Sequence, residues 1–245
     1  GEVARRLAHE IKNPLTPIQL ATERIRHKYL KQFDAEQGRV LDRGTHTIIQ
    51  QVQAMKEMVD AFNEYARPPR LRLEPVELNE FVSEVLYLYR DYPAGVEIKL
   101  DLAHEPLPIN ADKGRLRQLL HNLVKNSIEA IGDGHGSTLW IGSAREHVTG
   151  ADCAQLSLRD DGPGFPDNIL NSAFEPYVTT KPKGTGLGLA IVKKIVEEHG
   201  GWIQLESPAD GGARIVVRLP LRGAAGSPVP STGPAVPLNA DKEAG

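Results

Sequence analysis

The sequence predicts an α+β protein in which a helical hairpin precedes a layer of mixed strands and helices. Apolar residues follow helical spacing through the first third of the chain. Alternation of apolar and polar residues, which is typical of half-buried strands, begins only after residue 71. The later strands and helices follow one another without a regular strand–helix–strand repeat, and this order favours a sheet with helices on one face.

The composition indicates a globular protein and excludes some functions. The 245 residues include 29 Lys and Arg and 32 Asp and Glu, a formal net charge of −3. This near-balance argues against broad electrostatic binding, so we expect no nucleic-acid partner. The single cysteine, Cys153, cannot form an internal disulfide, which suits a reducing compartment. Every apolar stretch falls short of the roughly 20 residues that a membrane-spanning helix needs.

Residues 1–70 predict two helices joined by a polar stretch at 31–38. In the first helix, Pro14 and Pro17 interrupt the apolar spacing, and we expect a bend there rather than an end. The second helix carries a heptad seam. Its members are Ile48, Val52, Met55, Val59, Phe62 and Ala66. A hairpin that exposes such a seam is usually completed by a second copy, so we expect a dimeric four-helix bundle. The sequence Arg-Pro-Pro-Arg at 67–70 predicts the linker.

Residues 71–222 predict a second domain and residues 223–245 a disordered tail. We expect helices at 80–89, 113–131 and 190–199. Strands are predicted around residues 96–102, 139–141, 156–158, 202–205 and 215–219. The tail is rich in Ala, Gly, Pro and Ser and poor in large apolar residues.

The first candidate site is the segment from Ala8 to Pro14. His9 and Asn13 share a helix face at i and i+4, and Glu10 is adjacent to His9. His9 lies off the apolar stripe, so we expect its ring to face solvent. An imidazole beside a carboxylate is a plausible nucleophile, because the carboxylate accepts the proton that the ring must lose. An ordinary solvated helix face explains the same residues.

The second candidate site is on the helix at 113–131, where Asn122, Asn126 and Glu129 form a polar stripe. Asparagine disfavours helix interiors, so two of them four residues apart suggest a function. The carbonyl oxygen of Asn126 suits Mg²⁺, which is bound by few protein ligands together with phosphates and water. A plain polar helix face is the alternative.

Two glycine-containing segments follow. Asp160, after a predicted strand, precedes Gly162 and Gly164, a tight turn that lets a planar ligand approach the backbone. Asp160 is able to accept a hydrogen bond from an exocyclic amine. The stretch Gly184–Leu189 opens a predicted helix, whose N–H groups attract phosphate. It lacks the preceding strand of a dinucleotide-binding fingerprint and the ending of a Walker motif.

In this order the segments resemble the H, N, G1, F and G2 boxes of the sensor histidine kinases of two-component systems. The F box is Phe174-Glu175-Pro176-Tyr177, where many members end in Phe. The resemblance covers residues 1–222 and is strongest to the nitrogen-regulation sensors. It implies a dimerisation and phosphotransfer hairpin followed by a Bergerat-type (GHKL) α/β sandwich that binds ATP.

The resemblance also implies roles for individual residues. His9 would be the phosphoacceptor, Glu10 its base, and Asn13 would help to dephosphorylate the partner. Asn126 would hold Mg²⁺, and Asn122 would lie near the triphosphate. The remaining nucleotide-binding positions are Asp160, Gly162 and Gly164 at the adenine, Lys181 in a mobile lid, and Gly184, Thr185, Gly186, Leu187 and Gly188 at the phosphates.

We therefore expect an ATP- and Mg²⁺-dependent protein-histidine kinase. It would be a homodimer, pass phosphate to an aspartate of a response regulator (an NtrX-like one is expected), and possess a phosphatase activity toward it. The alternatives are a stand-alone GHKL-type ATPase and a non-catalytic nucleotide-binding scaffold. Gyrase-like ATPases carry a Glu where this chain has Asn122, which disfavours the first. By family analogy this region would be cytoplasmic, and the full-length protein would be held in the inner membrane by upstream segments.

Overall fold

The computed structural model describes residues 2–66, 71–89, 96–132, 137–148, 150–181, 184–208 and 210–223. The predicted linker at 67–70 and nearly all of the predicted tail lie outside these ranges. Backbone contacts divide the chain into two compact units. The first consists of Gly1–Arg70 and Glu175–Ile191, and the second of Leu71–Phe174 and Val192–Gly245. The division into domains at residues 70 and 222 stays a prediction.

The first unit contains the hairpin of α1 (Glu2–Tyr29) and α2 (Ala35–Ala66). Helix α1 continues through Pro14 and Pro17. Helix α2 begins after Asp34, whose side chain accepts hydrogen bonds from the backbone N–H groups of residues 36 and 37 at 3.0 and 2.9 Å. The helices are antiparallel, as polar pairs between them show. These pairs are Lys12–Asp60, Gln19–Lys56 and Arg26–Asp42.

The hairpin has two apolar seams rather than the single one predicted for α2. The buried seam recurs every seven residues. It consists of Ala8, Leu15 and Thr22 in α1 and of Thr45, Val52 and Val59 in α2. Ile48 and Met55, predicted in the same seam, remain 45% and 47% exposed. Helices α1 and α2 pack against each other, and this contact covers the buried row on each helix.

The second unit is built on a five-stranded sheet in the order β2-β4-β5-β7-β6. Its strands are β2 (Glu97–Asp101), β4 (Thr138–Val148), β5 (Ala151–Asp160), β6 (Trp202–Glu206) and β7 (Ala213–Pro220). Strand β2 pairs with β4 in parallel, and the other pairs are antiparallel. A two-stranded sheet of β1 (Glu74–Glu77) and β3 (Pro108–Ala111) was not predicted.

The helices of this part are α3 (Leu78–Tyr87), α4 (Lys113–Gly132), the single turn α5 (Asp167–Leu170) and α6 (Gly188–Glu198), whose first residues belong to the first unit. Helix α4 contacts β4, β5 and α3. It buries four leucines against this core: Leu116, Leu119, Leu120 and Leu123. The predicted α+β fold is confirmed. Among the described helices, none is long and apolar enough to cross a membrane.

Candidate functional site

The His9 segment lies on the outer face of α1. Ala8 is buried in the seam of the hairpin, and the helical rotation therefore turns His9, Glu10 and Asn13 outward, where all three are exposed. The ring of His9 faces solvent, as predicted. A side chain in this position is accessible to a reactive group that is brought to it from another part of the protein.

Two ion pairs flank His9. Arg6 Nε lies 3.0 Å from Glu10 Oε1, one helical turn away, and Lys12 pairs with Asp60 of α2. The sequence reasoning overlooked Arg6, although its i, i+4 spacing from Glu10 was a usable signal. Exposed pairs of this kind contribute little to stability. The first pair directs the Glu10 carboxylate toward Arg6, and the second lies between α1 and α2 in the turn after His9.

The start of α4 is fixed by Asp112. Its Oδ1 accepts the backbone N–H of Arg115 at 3.1 Å, which makes it the N-cap, and its Oδ2 accepts that of Arg72 at 2.9 Å. Desolvation alone would raise the pKa of Asp112, but the backbone hydrogen bonds from Arg72, Arg115 and Gly114 outweigh it and lower the pKa. This cap fixes the residue at which α4 begins. The start of the helix in turn fixes the face on which Asn122 and Asn126 lie.

Asn122 and Asn126 lie half-buried on α4, and Ser127 beside them is buried. The exposed residue of the predicted stripe is Glu129. The inward face at Ser127 points toward the end of β5, where Asp160 lies. Helix α4 and strand β5 thus bring the second and third predicted motifs together within one unit.

Asp160 is a buried carboxylate, 5% exposed, at the end of β5. Gly162 N–H donates to its Oδ1 at 3.1 Å. Burial raises the pKa of Asp160, and the polar groups of Gly162, Ser127 and Ala213 offset only part of that rise. An ionised carboxylate has about four acceptor positions, more than the Gly162 N–H group uses.

The neighbouring Asp161 has a different environment. Its Oδ1 accepts the backbone N–H groups of Ser137 and Thr138 at 2.8 and 2.9 Å. Although burial opposes ionisation, the hydrogen bonds from Thr138 and Ser137 lower the pKa of Asp161. Asp161 thus holds the start of β4 in place, and Asp160 is the carboxylate directed into the interior.

Three glycines allow the backbone to pack tightly around Asp160. A Cβ on Gly162 would lie 3.3 Å from the Ala130 Cβ of α4, and one on Gly164 (φ 73°) would lie 2.7 Å from the Gly212 carbonyl oxygen. Gly212 (φ 81°) comes still closer to the Asp160 carbonyl oxygen. The sequence predicted Gly162 and Gly164 but missed Gly212. The run Asp-Gly-Gly before β7 was the available signal.

The predicted lid and phosphate residues belong to the first unit. Tyr177 N–H donates to the Gly186 carbonyl at 3.0 Å, and Gly184 N–H to that of Lys181 at 3.0 Å. Both Tyr177 and Gly186 have positive φ angles, of 68° and 67°. A Cβ on Gly186 would lie 2.5 Å from the Tyr177 carbonyl carbon. The backbone at Tyr177 therefore contacts the backbone at Gly186. This approach requires glycine at position 186, because any Cβ there would clash.

The end of this segment leads into α6. The Thr185 hydroxyl accepts the Leu187 N–H at 3.4 Å, Leu187 is fully buried, and Gly188 is the first residue of the helix. The predicted helix thus begins two residues earlier than expected. The stretch Gly184–Gly188 precedes a helix N-terminus, as the phosphate-binding interpretation requires.

Comparison with known families gives two matches. Residues 1–70 match the His Kinase A (phospho-acceptor) domain, and residues 111–223 match the histidine kinase-, DNA gyrase B- and HSP90-like ATPase domain. The first match contains His9, and the second contains α4, Asp160 and the glycine stretch. The order of the two matches agrees with that of the predicted motifs.

Individual relatives are sensor kinases. Nitrogen regulation protein NtrY of Azorhizobium caulinodans is 40% identical over 93% of this chain, and sensor histidine kinase ZraS of Escherichia coli O157:H7 is 37% identical over 90%. The chain spans 30% and 46% of the lengths of these two proteins.

Solved structures of the histidine kinase ThkA are also similar. Its catalytic domain is 32% identical with a TM-score of 0.52, over 61% of this chain and 96% of that one. ThkA in complex with the response regulator protein TrrA is 29% identical with a TM-score of 0.63, over 91% of this chain and 62% of that one. From the ordered motifs, the two domain matches and these relatives, the chain belongs to the sensor histidine kinases of two-component systems, among which it is similar to NtrY.

Proposed function

We propose that this chain is a kinase core that transfers the γ-phosphoryl group of ATP to His9 and then to an aspartate of a response regulator. The observation that carries the proposal is the position of His9. It lies on the exposed face of α1 inside the region that matches a phospho-acceptor domain. The burial of Asp160 and the tight glycine turns around it support its proposed role as the adenine site.

The transfer forms a nitrogen–phosphorus bond and breaks the bond between the γ-phosphorus and the bridging oxygen of ADP. The lone pair of one imidazole nitrogen of His9 attacks, and the proton on the other nitrogen must leave. Glu10 is the adjacent acceptor for that proton, and its pairing with Arg6 at 3.0 Å keeps its carboxylate on the exposed surface of α1. Catalysis of this type depends mainly on positioning and charge stabilisation.

Asp160 is suited to recognise adenine. The Gly162 N–H group donates to one oxygen of its carboxylate, and the remaining acceptor positions suit the exocyclic amine. Gly162 and Gly164 allow the base to approach the backbone. Lys181 and the stretch Gly184–Gly188, with Thr185, Gly186 and Leu187, are proposed for the phosphates on account of their charge and of their position before α6.

Asn126 is proposed as the protein ligand of Mg²⁺. Among the described residues, no group of three or more His, Cys, Asp or Glu side chains is placed to hold a metal. A single amide oxygen on a half-buried helix face suits an ion that is bound chiefly by phosphates and water. When bound, Mg²⁺ neutralises charge on the phosphates, and Asn122 on the preceding turn lies near the same triphosphate.

A stand-alone ATPase is the second candidate, and the residue at position 122 disfavours it. In the gyrase-like class a Glu at this position activates water, whereas the amide of Asn122 cannot act as a base at neutral pH. We infer that the site protects ATP from water until the phosphoryl group reaches His9. A nucleotide-binding scaffold without catalysis would use the Asp160 site but would leave the exposed His9 without a function.

The half-exposed seam of the hairpin supports a homodimer. Its members are spaced along one face at heptad positions. They are Leu7, Ile18 and Ile25 of α1 and Ile48 and Met55 of α2, each between 45% and 48% exposed. A second hairpin that covers this seam would complete a four-helix bundle. Ile48→Glu is expected to dissociate the dimer, measured by sedimentation, whereas Val40→Glu, at a residue already 71% exposed, is not.

The response regulator is proposed by analogy with ThkA, which has been solved in complex with the regulator TrrA. Asn13, which is exposed one turn after His9, is proposed to assist dephosphorylation of such a partner. Similarity to NtrY makes an NtrX-like regulator the first partner to test. Attachment of the full-length protein to the inner membrane belongs to the same proposal.

The proposal is tested by incubating the protein with γ-phosphate-labelled ATP and Mg²⁺, with His9→Gln as the matched variant. The wild type should retain label that is lost in acid and survives alkali, as a phosphoryl group on nitrogen does. The variant should retain none while still binding ATP. Equal release of free phosphate by both proteins without bound label would contradict the kinase and favour the ATPase.

A further inference from the structure

Lys12 lies beside His9 on the side of α1 that faces α2. It follows the buried Ala8 by four positions, about one helical turn, and His9 by three. Its side chain pairs with Asp60 of α2, and the two side chains are 34% and 60% exposed. This ion pair borders the proposed phosphoacceptor, and the proposed function assigns no role to either of its members.

A phosphoryl group on His9 would change the charge of this surface. It carries about two negative charges and three acceptor oxygens. Residues three positions apart on a helix have Cβ atoms about 5–6 Å apart, so the ammonium group of Lys12 is within reach of these oxygens. The ammonium offers three N–H donors and keeps its proton, so Lys12 supplies charge and hydrogen bonds without taking part in proton transfer.

Arg6 also lies one turn from His9, but it has a different partner. Its Nε lies 3.0 Å from Glu10 Oε1 on the exposed surface of α1. Arg6 is therefore paired with the proposed base on the same helix. Lys12, in contrast, is paired with Asp60 across the hairpin, on the side where His9 borders α2.

Asp60 opposes the phosphorylated state in two ways. Its carboxylate competes with the phosphoryl oxygens for Lys12, and its negative charge repels the phosphoryl group. The ion pair between Lys12 and Asp60 is partly exposed, and pairs of this kind contribute little to stability. A group with two negative charges on His9 is therefore able to displace Asp60 from Lys12.

We propose that Lys12 binds the phosphoryl group once it is on His9 and releases Asp60 as it does so. The inference rests on the proposed transfer of phosphate to His9. It adds to that function a residue that stabilises the phosphorylated histidine itself. It also provides an exchange of ion pairs by which phosphorylation of α1 frees a carboxylate on α2.

The test measures the equilibrium constant for phosphoryl transfer between ATP and His9. Label retained by the whole chain is measured at a series of ratios of labelled ATP to ADP. The variants are Lys12→Gln, Asp60→Asn and, as the matched control, Lys56→Gln. Lys56 also links the two helices, through a hydrogen bond of 2.6 Å to Gln19. A defect in ATP binding or positioning slows the approach to equilibrium but does not move it, so the equilibrium constant reports the stability of the phosphorylated histidine.

The two members of the ion pair should have effects of opposite sign. The equilibrium constant should fall about 5 to 30 times in Lys12→Gln, because the phosphoryl group loses hydrogen bonds from a charged donor. It should rise about 2 to 5 times in Asp60→Asn, because a competing negative charge is removed. Lys56→Gln should leave it unchanged, and Lys12→Arg, which keeps the charge, should stay near the wild type.

An unchanged equilibrium constant in Lys12→Gln would overturn the inference, and so would a fall in Asp60→Asn equal to that in Lys12→Gln, since a merely structural pair gives effects of the same sign. Either result leaves transfer to His9 intact. If Lys12→Gln does not fold, the rise in Asp60→Asn decides, and its absence overturns the inference. Failure of the wild type to retain label would instead overturn the proposed function, and the inference with it.

Discussion

The region around His9 and the region around Asp160 differ in exposure: the first is a solvent-exposed helix face, and the second is buried. His9, Glu10 and Asn13 are exposed on α1, and the contact made by Glu10 is an ion pair with Arg6 on the surface. Asp160 is buried, and its carboxylate accepts the N–H group of Gly162 in the turn that follows it. The role proposed for His9 requires an accessible side chain, whereas the base recognition proposed for Asp160 requires a preformed site. The two sites should therefore respond differently to substitution.

Substitutions in the two regions should differ in how much they change the stability of the fold and how much they change the proposed activity. Close packing around Asp160 means that substitutions there disturb the fold as well as the ligand site. Substitutions on the outer face of α1 remove chemistry without removing packing. The following predictions separate these two kinds of effect, beginning with the largest change in stability.

Gly212→Ala is expected to cause the largest loss of stability. Its φ of 81° strains any other residue, and its Cβ would meet the Asp160 carbonyl oxygen. Backbone strain of about 1–3 kcal/mol and overpacking of about 1–3 kcal/mol should together lower the free energy of unfolding by about 2–6 kcal/mol. Urea unfolding measures this loss.

Gly211→Ala is the matched control for this substitution. Its φ is 91°, and nothing lies within 4 Å of an added Cβ, so it should show the strain alone. Equal losses of stability in the two variants would mean that the close approach to Asp160 carries no energetic weight. The preformed site would then be less rigid than its geometry indicates.

Asp160 should make the stability of the fold depend on pH in an unusual direction. Burial raises its pKa in the folded state, so ionisation opposes folding. Its contribution to stability is complete below its unfolded pKa of about 3.9 and is lost as pH rises through the raised folded pKa. The free energy of unfolding of Asp160→Asn, relative to the wild type, should therefore increase with pH over that interval.

The expected increase is about 1.4 kcal/mol for each unit by which burial raises the pKa. Chemical unfolding without nucleotide, at a series of pH values, measures it, and any constant cost of the asparagine cancels from the slope. A difference between the two proteins that is flat with pH would show that Asp160 is not held in an environment unfavourable to its charge. The same variant should bind ATP about 10 to 100 times more weakly at neutral pH, because it loses a hydrogen bond to a charged group.

The candidate site motifs could be recognised in the sequence because each is local. His9 with Asn13, Asn122 with Asn126, and Asp160 with Gly162 are recognisable from spacing within one element or turn. Gly212 was missed because its role depends on close contact with Asp160, which is distant in sequence. Strands β1 and β3 were missed for a similar reason, since they have four residues each and exist through pairing with one another.

The fold class could be predicted because it follows from hydrophobic periodicity, but the assignment of each apolar residue could not. The heptad steps of α2 predicted one seam, whereas the structure covers Val52 and Val59 and leaves Ile48 and Met55 half-exposed. Periodicity identifies the apolar residues on one side of a helix. It does not show which of them pack against the other helix of the hairpin and which remain exposed.

Asp112 should show the opposite dependence on pH from Asp160, with a smaller effect. Asp112→Ala removes the N-cap of α4 and the link to Arg72, which should lower the free energy of unfolding by about 0.5–2 kcal/mol at neutral pH. The pKa of Asp112 is lowered in the fold, so its contribution is present above the unfolded pKa of about 3.9 and disappears as pH falls through the folded value.

Urea unfolding at neutral and acidic pH tests this expectation, with exposed Asp101→Ala as the control for simple loss of a carboxylate. A penalty for Asp112→Ala that stays constant into acid would assign the effect to lost packing instead of to the ionised cap. Because α4 carries Asn122 and Asn126, the variant should also weaken ATP binding at pH values where the cap matters.

His9→Gln and Glu10→Gln should have the smallest effect on the fold and the largest on labelling. Both side chains are exposed, and the ion pair of Glu10 with Arg6 is on the surface, so each substitution should change the free energy of unfolding by no more than about 0.5 kcal/mol. Phosphoryl label should nevertheless disappear in His9→Gln and accumulate more slowly in Glu10→Gln, because the first lacks the nucleophile and the second a base.

Arg6→Gln is the control that removes the ion pair but keeps the carboxylate. A large loss of stability in His9→Gln would show that the exposed face of α1 is part of the packing of the hairpin, and the contrast with the Asp160 site would then be wrong.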